Sequence, residues 1–91
     1  MLLILYSKPG CHLCEGLQEK LEQILANPES ESKFELEVRD ITTEDEWFKA
    51  YEYDIPVLCR QRDYQCAEEP LPRSSPRSTV EQLDKMLRKY L

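Results

Sequence analysis

The segment LYSKPGCHLC, residues 5–14, decides how this chain of 91 residues is expected to fold. It ends a short apolar run with turn-forming residues and then places Cys11 and Cys14 three positions apart. An apolar run of this length, closed by turn residues, predicts a strand buried on both faces. Leucine and isoleucine then recur at steps of three and four residues up to Leu25, which predicts an amphipathic helix ending near Pro28. The two cysteines are therefore expected where the first strand passes into the first helix.

Two more helices are predicted by capping boxes, in which a Ser or Thr is followed three residues later by Glu. Thr43 with Glu46 begins the first of them, and Ser78 with Glu81 begins the second. Apolar side chains recur at helical spacing in both, so each helix should pack one face against the core. These side chains are Trp47, Phe48 and Tyr51 in the first helix and Val80, Leu83, Leu87 and Tyr90 in the second.

Three further strands complete the pattern. Residues 34–38 alternate between apolar and charged side chains, and residues 57–60 and 64–67 flank a turn. In that hairpin Cys59 should face Cys66. The element order is then β-α-β-α-β-β-α, in which the first two strands lie parallel through a right-handed crossover and the hairpin completes the sheet. The sequence thus predicts an α/β fold with helices on both faces of a four-stranded mixed sheet.

Composition argues against several classes of function. A formal net charge of −6 is unlike that of proteins that neutralise nucleic-acid phosphates or dock on anionic membranes. The apolar start of the chain is too short for a signal peptide or a membrane-spanning helix. We therefore expect a single domain over residues 1–91 that is monomeric and cytoplasmic, with neither nucleic acid nor membrane as a partner.

The position of Cys11 and Cys14 indicates thiol chemistry. The first turn of a helix presents unsatisfied N–H groups and the positive end of the helix dipole, and both favour a thiolate. Lys8 adds a positive charge nearby, and His12 is a candidate for tuning the thiol. Cys14 shares a face with core leucines and should be buried, which makes Cys11 the exposed nucleophile and Cys14 the residue that resolves the mixed disulfide.

Other interpretations of the cysteines stay open. Two cysteines at this spacing also occur in zinc and iron–sulfur sites. A protein that senses redox state without catalysing turnover would need the same pair. For Cys59 and Cys66 two unoxidised thiols are favoured, over a second redox couple or a metal site shared with Cys11 and Cys14.

Residues 5–14, together with the DIPVL segment at residues 54–58, resemble the glutaredoxins and, through the CHLC motif, the short glutaredoxin-like proteins. The resemblance implies a thioredoxin-like fold and dithiol exchange, with no bound cofactor and glutathione as a co-substrate. It also implies a cis Ile55–Pro56 peptide bond beside the redox cysteines. In this interpretation Lys8, Ile55 and Pro56 bind the substrate, and the backbone of Ile55 offers its N–H and C=O groups to it.

The same resemblance suggests the partners. They are glutathione or protein disulfides as substrates, with a reductase as the electron donor. Two features depart from typical glutaredoxins. His12 and Leu13 stand where those proteins carry Pro-Tyr, and the stretch before the last helix lacks their Gly-Gly element.

Overall fold

A four-stranded mixed sheet organises the chain in the computed structural model, which describes residues 1–30, 32–63, 66–73, 75 and 77–90. Along the chain the strands are β1 (Leu2–Ser7), β2 (Glu35–Asp40), β3 (Val57–Gln61) and β4 (Glu69–Pro70). The helices are α1 (His12–Ala26), α2 (Asp45–Tyr51) and α3 (Val80–Arg88), with a 3₁₀ turn at Ile41–Thr43.

The first strand is central in the sheet. The strand order is β2-β1-β3-β4, and β1 pairs in parallel with β2 and antiparallel with β3. Leu3, Ile4 and Leu5 are fully buried, because helices cover both faces of this strand. The continuous apolar run that predicted a doubly covered strand is thereby explained.

The two faces of the sheet have different cores. On one face α1 and α3 pack against Leu3 and Leu5, and on the other α2 packs against Ile4 and Tyr6. The α/β architecture, the parallel pairing of β1 with β2 and the helices on both faces confirm the sequence-based prediction. On the first face the helices contribute the buried residues Leu21, Ile24, Leu83 and Leu87.

Helix α1 presents a narrower apolar stripe than the leucine spacing suggested. Cys14, Leu21 and Ile24 are buried, but Leu13 and Leu25 are 55% and 42% exposed. These two leucines were expected on the buried stripe, and that expectation is wrong. At 100° per residue Leu13 lies about 100° from Cys14 and so falls at the margin of the buried stripe, whereas Leu25 shares the direction of Leu21 but lies in the last turn of the helix, which ends at Ala26.

The connection between α1 and β2 is fastened to α3 by a buried carboxylate. Asp84 accepts hydrogen bonds from the hydroxyl groups of Ser30 and Ser32, and Arg88 lies 3.3 Å from its other oxygen. These hydrogen bonds, the one from Ser32 first, lower the pKa of Asp84. A buried charge is thus satisfied by partners from two segments, which holds α3 against the first face of the sheet.

Both helix starts differ from the predicted capping boxes. The hydroxyl of Thr43 donates to the carbonyl of Asp40 within the 3₁₀ turn, so α2 begins after Glu44 without a side-chain cap. In α3 the capping box lies one residue later than predicted, at Thr79 and Gln82, whose side chains bond each other's backbone N–H groups. The predicted starts at Thr43 with Glu46 and at Ser78 with Glu81 are therefore wrong in position.

The fourth strand also begins later than predicted. Cys59 pairs with Pro70 and Arg60 with Glu69, so Cys59 does not face Cys66. The N–H of Cys66 is held in a turn by Asp63, and the Arg60 guanidinium lies 2.8 Å from the Glu69 carboxylate, which favours the later register. Of the predicted strand 64–67, the first two residues lie outside the described residues and the last two are not in a strand.

Candidate functional site

The predicted cysteine pair closes a disulfide at the start of α1. The sulfur atoms of Cys11 and Cys14 lie at disulfide distance, and their Cα atoms are 5.3 Å apart. Cys11 is the N-cap of the helix, and its Sγ accepts a hydrogen bond from the N–H of Cys14 at 3.2 Å. The sulfur of Cys11 therefore lies where the helix presents N–H groups without intrahelical partners.

The two cysteines differ in exposure. Cys14 is 2% exposed and belongs to the buried residues of α1, whereas Cys11 is partly exposed. This difference follows from the helix geometry, because the N-cap lies outside the first turn and a residue three positions later faces the sheet. An incoming substrate can therefore approach Cys11 more easily than Cys14.

The turn before the helix sets the position of Cys11. Gly10 has a φ of +82°, a left-handed conformation that other residues adopt only with strain. The N–H of Cys11 donates to the carbonyl of Lys8 at 3.1 Å, which closes the turn. The side chain of Lys8 is exposed. The structure thus assigns Lys8 a backbone contact that holds the turn.

His12 follows Cys11 and lies almost entirely in solvent. Its Nδ1 is 3.7 Å from the Glu15 carboxylate, one helical turn later, and both side chains are largely exposed. An exposed pair at this spacing contributes little to stability. Any effect of His12 on the neighbouring sulfur would therefore act through solvent.

The loop between α2 and β3 contains the second predicted segment. The Ile55–Pro56 peptide bond is cis. The N–H groups of Asp54 and Ile55 both donate to the carbonyl of Tyr51, at 2.9 and 3.2 Å. The N–H of Ile55, one of the two backbone groups expected to meet a substrate, is thus bonded within the chain to a carbonyl at the end of α2.

A cleft of about 840 Å³ connects this loop to the start of α1. Its walls come from the first turns of α1, the loop with Ile55 and Pro56, the start of β3, the segment after β4 and one residue of α3. The cleft thus brings together His12, Ile55 and Pro56 from the predicted site, while Lys8, Cys11 and Cys14 are not among its lining residues. The full lining is His12, Leu13, Gly16, Leu17, Lys20, Tyr51, Asp54, Ile55, Pro56, Val57, Leu58, Pro70, Leu71, Pro72, Arg73, Ser75 and Met86.

Several cleft residues, Tyr51 and Arg73 among them, were not predicted from the sequence. Tyr51 was taken for core packing alone; its ring does lie 4.4 Å from that of Tyr6, but it also lines the cleft. Arg73 donates to the carbonyl of Asp54 and so links the segment after β4 to the loop with Ile55. Arg73 lies in a proline- and serine-rich stretch with no periodicity, and no pattern there indicated a contact across the cleft.

The second cysteine pair lies elsewhere and is unpaired. Cys59 and Cys66 are free thiols, one buried in β3 and the other exposed. Burial, and next the Glu68 carboxylate, raise the pKa of Cys59 to about 11. Glu68 accepts a hydrogen bond from the hydroxyl of Tyr6, and burial together with this carboxylate raises the pKa of that phenol. Cys59 is therefore kept as a neutral thiol near neutral pH.

Neither a metal-binding cluster nor a membrane-spanning helix is found among the described residues. Among the described residues, no group of three or more His, Cys, Asp or Glu side chains is arranged to hold a metal ion. In the same part of the chain, none of the helices combines the length and the apolar composition that crossing a membrane requires.

The fold and the cysteine pair define the class of the molecule. A four-stranded mixed sheet between helices, with two cysteines at disulfide distance where the first helix begins, is the arrangement of a thioredoxin-fold thiol redox protein. Residues 2–88 match the family described as Glutaredoxin-like domain (DUF836). The chain therefore belongs to the glutaredoxin-like domain family.

Solved structures agree on the fold. The Northeast Structural Genomics target protein XcR50 from X. campestris is 28% identical, with 96% of each chain covered and a TM-score of 0.57. Thioredoxin 1 from Thermosipho africanus TCF52B is 14% identical over 99% of this chain and 93% of that chain, with a TM-score of 0.61. A malarial protein is 11% identical over 99% and 96%, with a TM-score of 0.65. The curated proteins searched contain no match.

Proposed function

We propose that this protein is a thiol–disulfide oxidoreductase that reduces disulfides through Cys11 and Cys14. The observation that supports this most is the unequal exposure of two cysteines that close a disulfide at the N-terminus of α1. Membership of the glutaredoxin-like domain family supports the same chemistry. A purely structural disulfide would have no need for one partly exposed sulfur at a helix N-terminus beside a cleft.

The proposed reaction has two exchange steps. The Cys11 thiolate attacks one sulfur of a substrate disulfide, so an S–S bond forms between protein and substrate while the substrate's own S–S bond breaks. The leaving sulfur departs as a thiolate and takes a proton from solvent. Cys14 then loses its proton and attacks Cys11, which breaks the mixed disulfide and releases the second substrate sulfur. The substrate gains two electrons, and Cys11 and Cys14 end as a disulfide.

The start of α1 supplies the electrostatic help. The N–H of Cys14 points at the Cys11 sulfur, and the helix dipole adds positive potential at the same place. Both stabilise the attacking thiolate relative to the thiol. Lys8 adds its positive charge from solvent, and His12, next to Cys11, is a candidate for tuning the thiol. Ile55 and Pro56 form the edge of the cleft along which a substrate lies.

The cycle needs a thiol reductant to regenerate Cys11 and Cys14. We propose either glutathione or a reductase as that donor, acting on the exposed side of the disulfide. Such a cycle suits a reducing compartment such as the cytoplasm, in which thiol reductants keep most cysteines reduced. No bound cofactor is needed for either exchange step.

Turnover with two electron donors tests the proposal. Reduction of a small model disulfide is measured with glutathione plus glutathione reductase, and separately with thioredoxin reductase. Catalysis above the uncatalysed rate with either donor supports an oxidoreductase and identifies the donor. If the disulfide forms and opens reversibly but neither donor supports turnover, the protein is a redox sensor and not an oxidoreductase. If the protein purified under reducing conditions contains stoichiometric zinc, it is a metal-binding module.

A trapping experiment tests the assigned roles. In a Cys14→Ser variant the mixed disulfide on Cys11 cannot be resolved by the protein, so it should accumulate and be visible by mass spectrometry. Alkylation of the reduced wild type should modify Cys11 faster than Cys14 near neutral pH. Equal rates at the two residues would contradict the assignment.

A further inference from the structure

The cleft beside the disulfide has mostly apolar walls. Leu13, the residue between the two cysteines that follows His12, lines the cleft and is 55% exposed. Leu13 adds exposed aliphatic surface to these apolar walls, and a partner that covers it gains the free energy of removing that surface from water. The lining also contains Met86 of α3, a flexible and polarisable side chain that adapts to different apolar partners. Further apolar lining comes from Leu17, Val57, Leu58 and Leu71.

Two polar donors near the Ile55 loop are already used within the chain. The N–H of Ile55 donates to the carbonyl of Tyr51, and Arg73 donates to the carbonyl of Asp54. Pro56 has no N–H to offer. A substrate in this cleft therefore meets bonded donors along the loop and apolar surface along α1 and α3. Along these apolar walls, recognition comes from burial of apolar groups.

The disulfide also limits what the occupant can be. Under the proposed function the occupant presents a sulfur to Cys11, so the group that reaches Leu13 is attached within one or two residues of that sulfur. The cleft, at about 840 Å³, has room for several side chains. Its charged lining, with Lys20 and Arg73 against Asp54, suits a neutral or acidic segment better than a basic one.

We propose that the substrate of this site is a polypeptide disulfide with a large apolar residue beside its cysteine, and that Leu13 and Met86 receive that residue. The inference rests on the proposed function and names its substrate class. Glutathione has no apolar side chain and would leave the apolar walls in water. It is therefore a poor occupant of the cleft, although it can still act as a reductant at the exposed sulfur.

Two matched peptides test the preference. Each carries the same disulfide and net charge, and the residue next to the cysteine is Leu in one and Ser in the other. The reduced protein is assayed for kcat/KM on both peptides, on glutathione disulfide and on a small hydrophilic disulfide, with dithiothreitol as the reductant. We expect the Leu peptide to exceed the Ser peptide by about tenfold or more, since apolar pockets discriminate side chains by such factors.

Substitutions in the cleft test whether Leu13 and Met86 cause the preference for the Leu peptide. Leu13→Ser and Met86→Ser should each lower the Leu/Ser ratio of kcat/KM by at least about threefold, whereas Leu25→Ser should leave the ratio unchanged. Leu25 is the matched control, because it is an exposed leucine of the same helix that does not line this cleft. Using a ratio cancels any general loss of rate that a change between the cysteines causes.

The outcomes separate the two proposals. Equal kcat/KM on both peptides, or an equal effect of Leu25→Ser and Leu13→Ser on the ratio, overturns the inference while the exchange reaction stands. A stronger preference for glutathione disulfide than for the Leu peptide also overturns it. If the wild type reduces none of the four disulfides, the proposed function fails, and the inference fails with it.

Discussion

The two cysteine pairs of this protein have the same side chains in opposite settings. Cys11 and Cys14 lie at the start of a helix, at disulfide distance, with one sulfur partly exposed. Cys59 lies in the middle of the sheet and is buried, and Cys66 lies in a turn and is exposed. The pairs are separated by three and by seven positions in the sequence, and the closer pair shares one helical turn.

The backbone element around each cysteine decides its chemistry. A helix N-terminus supplies N–H groups and a favourable dipole to a thiolate, whereas an internal strand uses its N–H groups in the sheet. Burial then favours the neutral thiol, and the pKa of Cys59 rises to about 11. Cys59 behaves as a small apolar core residue, while Cys11 is placed for exchange.

The largest effect is expected when the thiol of Cys11 is removed. Cys11→Ser should lower turnover of a model disulfide to the uncatalysed rate, a loss of roughly 10³-fold or more, because the hydroxyl cannot replace the attacking thiolate. Cys66→Ser is the matched control, since it removes an exposed thiol outside the site. The assay is steady-state turnover with the donor that supports the wild type. Similar losses in both variants would place the chemistry elsewhere.

The next effect concerns the reactivity of Cys59. With a pKa of about 11, roughly one Cys59 side chain in a thousand is a thiolate at pH 8. Its alkylation by iodoacetamide should be at least about 100-fold slower than that of Cys66 in the folded protein. Because the folded-state pKa is raised, the rate at Cys59 should increase about tenfold per pH unit up to that pKa.

Mass spectrometry of the labelled chain measures both rates in one sample. The same measurement in a denaturant is the control, since unfolding removes the burial that separates the two thiols. Similar rates at Cys59 and Cys66 in the folded protein would show that the buried setting of Cys59 has been misassigned.

A smaller effect tests how the turn before Cys11 is held. Gly10→Ala forces a side chain into a left-handed conformation and should lower the free energy of unfolding by about 1–2 kcal/mol. Gly16→Ala is the matched control with the opposite sign. Gly16 is helical and a Cβ there meets no neighbouring atom, so the substitution should raise the free energy of unfolding by about 0.5–1 kcal/mol.

Thermal unfolding measures this pair of variants. For a domain of this size, 1 kcal/mol corresponds to a shift in Tm of about 4–8 °C. A Gly10→Ala variant as stable as the wild type would mean that the turn before Cys11 does not need its left-handed residue.

The smallest effect on turnover is expected when Cys59 and Cys66 are both replaced. A double variant, Cys59→Ala with Cys66→Ser, should keep turnover within about twofold of the wild type. Cys59 is a neutral buried thiol, and Cys66 is held in a turn away from the cleft lining, so neither is expected to exchange with substrate. Loss of activity comparable to that of Cys11→Ser, at unchanged stability, would bring the second pair into the mechanism.

The sequence alone predicted much of the fold and the closeness of Cys11 and Cys14. Periodicity located β1, α1 and α3, and the order of elements predicted the mixed sheet with helices on both faces. The position of Cys11 and Cys14 at a strand-to-helix junction could be predicted because the turn before α1 directly follows the apolar run that forms β1. Local signals were sufficient for these features, since each depends on neighbours within about one helical turn or one strand.

Other features depend on contacts between distant segments, and only the tertiary structure decided them. The register of β4 is favoured by the pairing of Arg60 with Glu69, and so the predicted opposition of Cys59 and Cys66 was wrong. The N–H of Ile55 is taken by the end of α2, and Arg73 reaches Asp54 from a stretch without periodicity. Exposure of Leu13 likewise depends on which helical stripe the sheet covers. Residue spacing determines which face of a helix or strand a side chain occupies. Which residue of a distant segment that side chain contacts is decided by packing and by the need to satisfy hydrogen bonds in the folded structure.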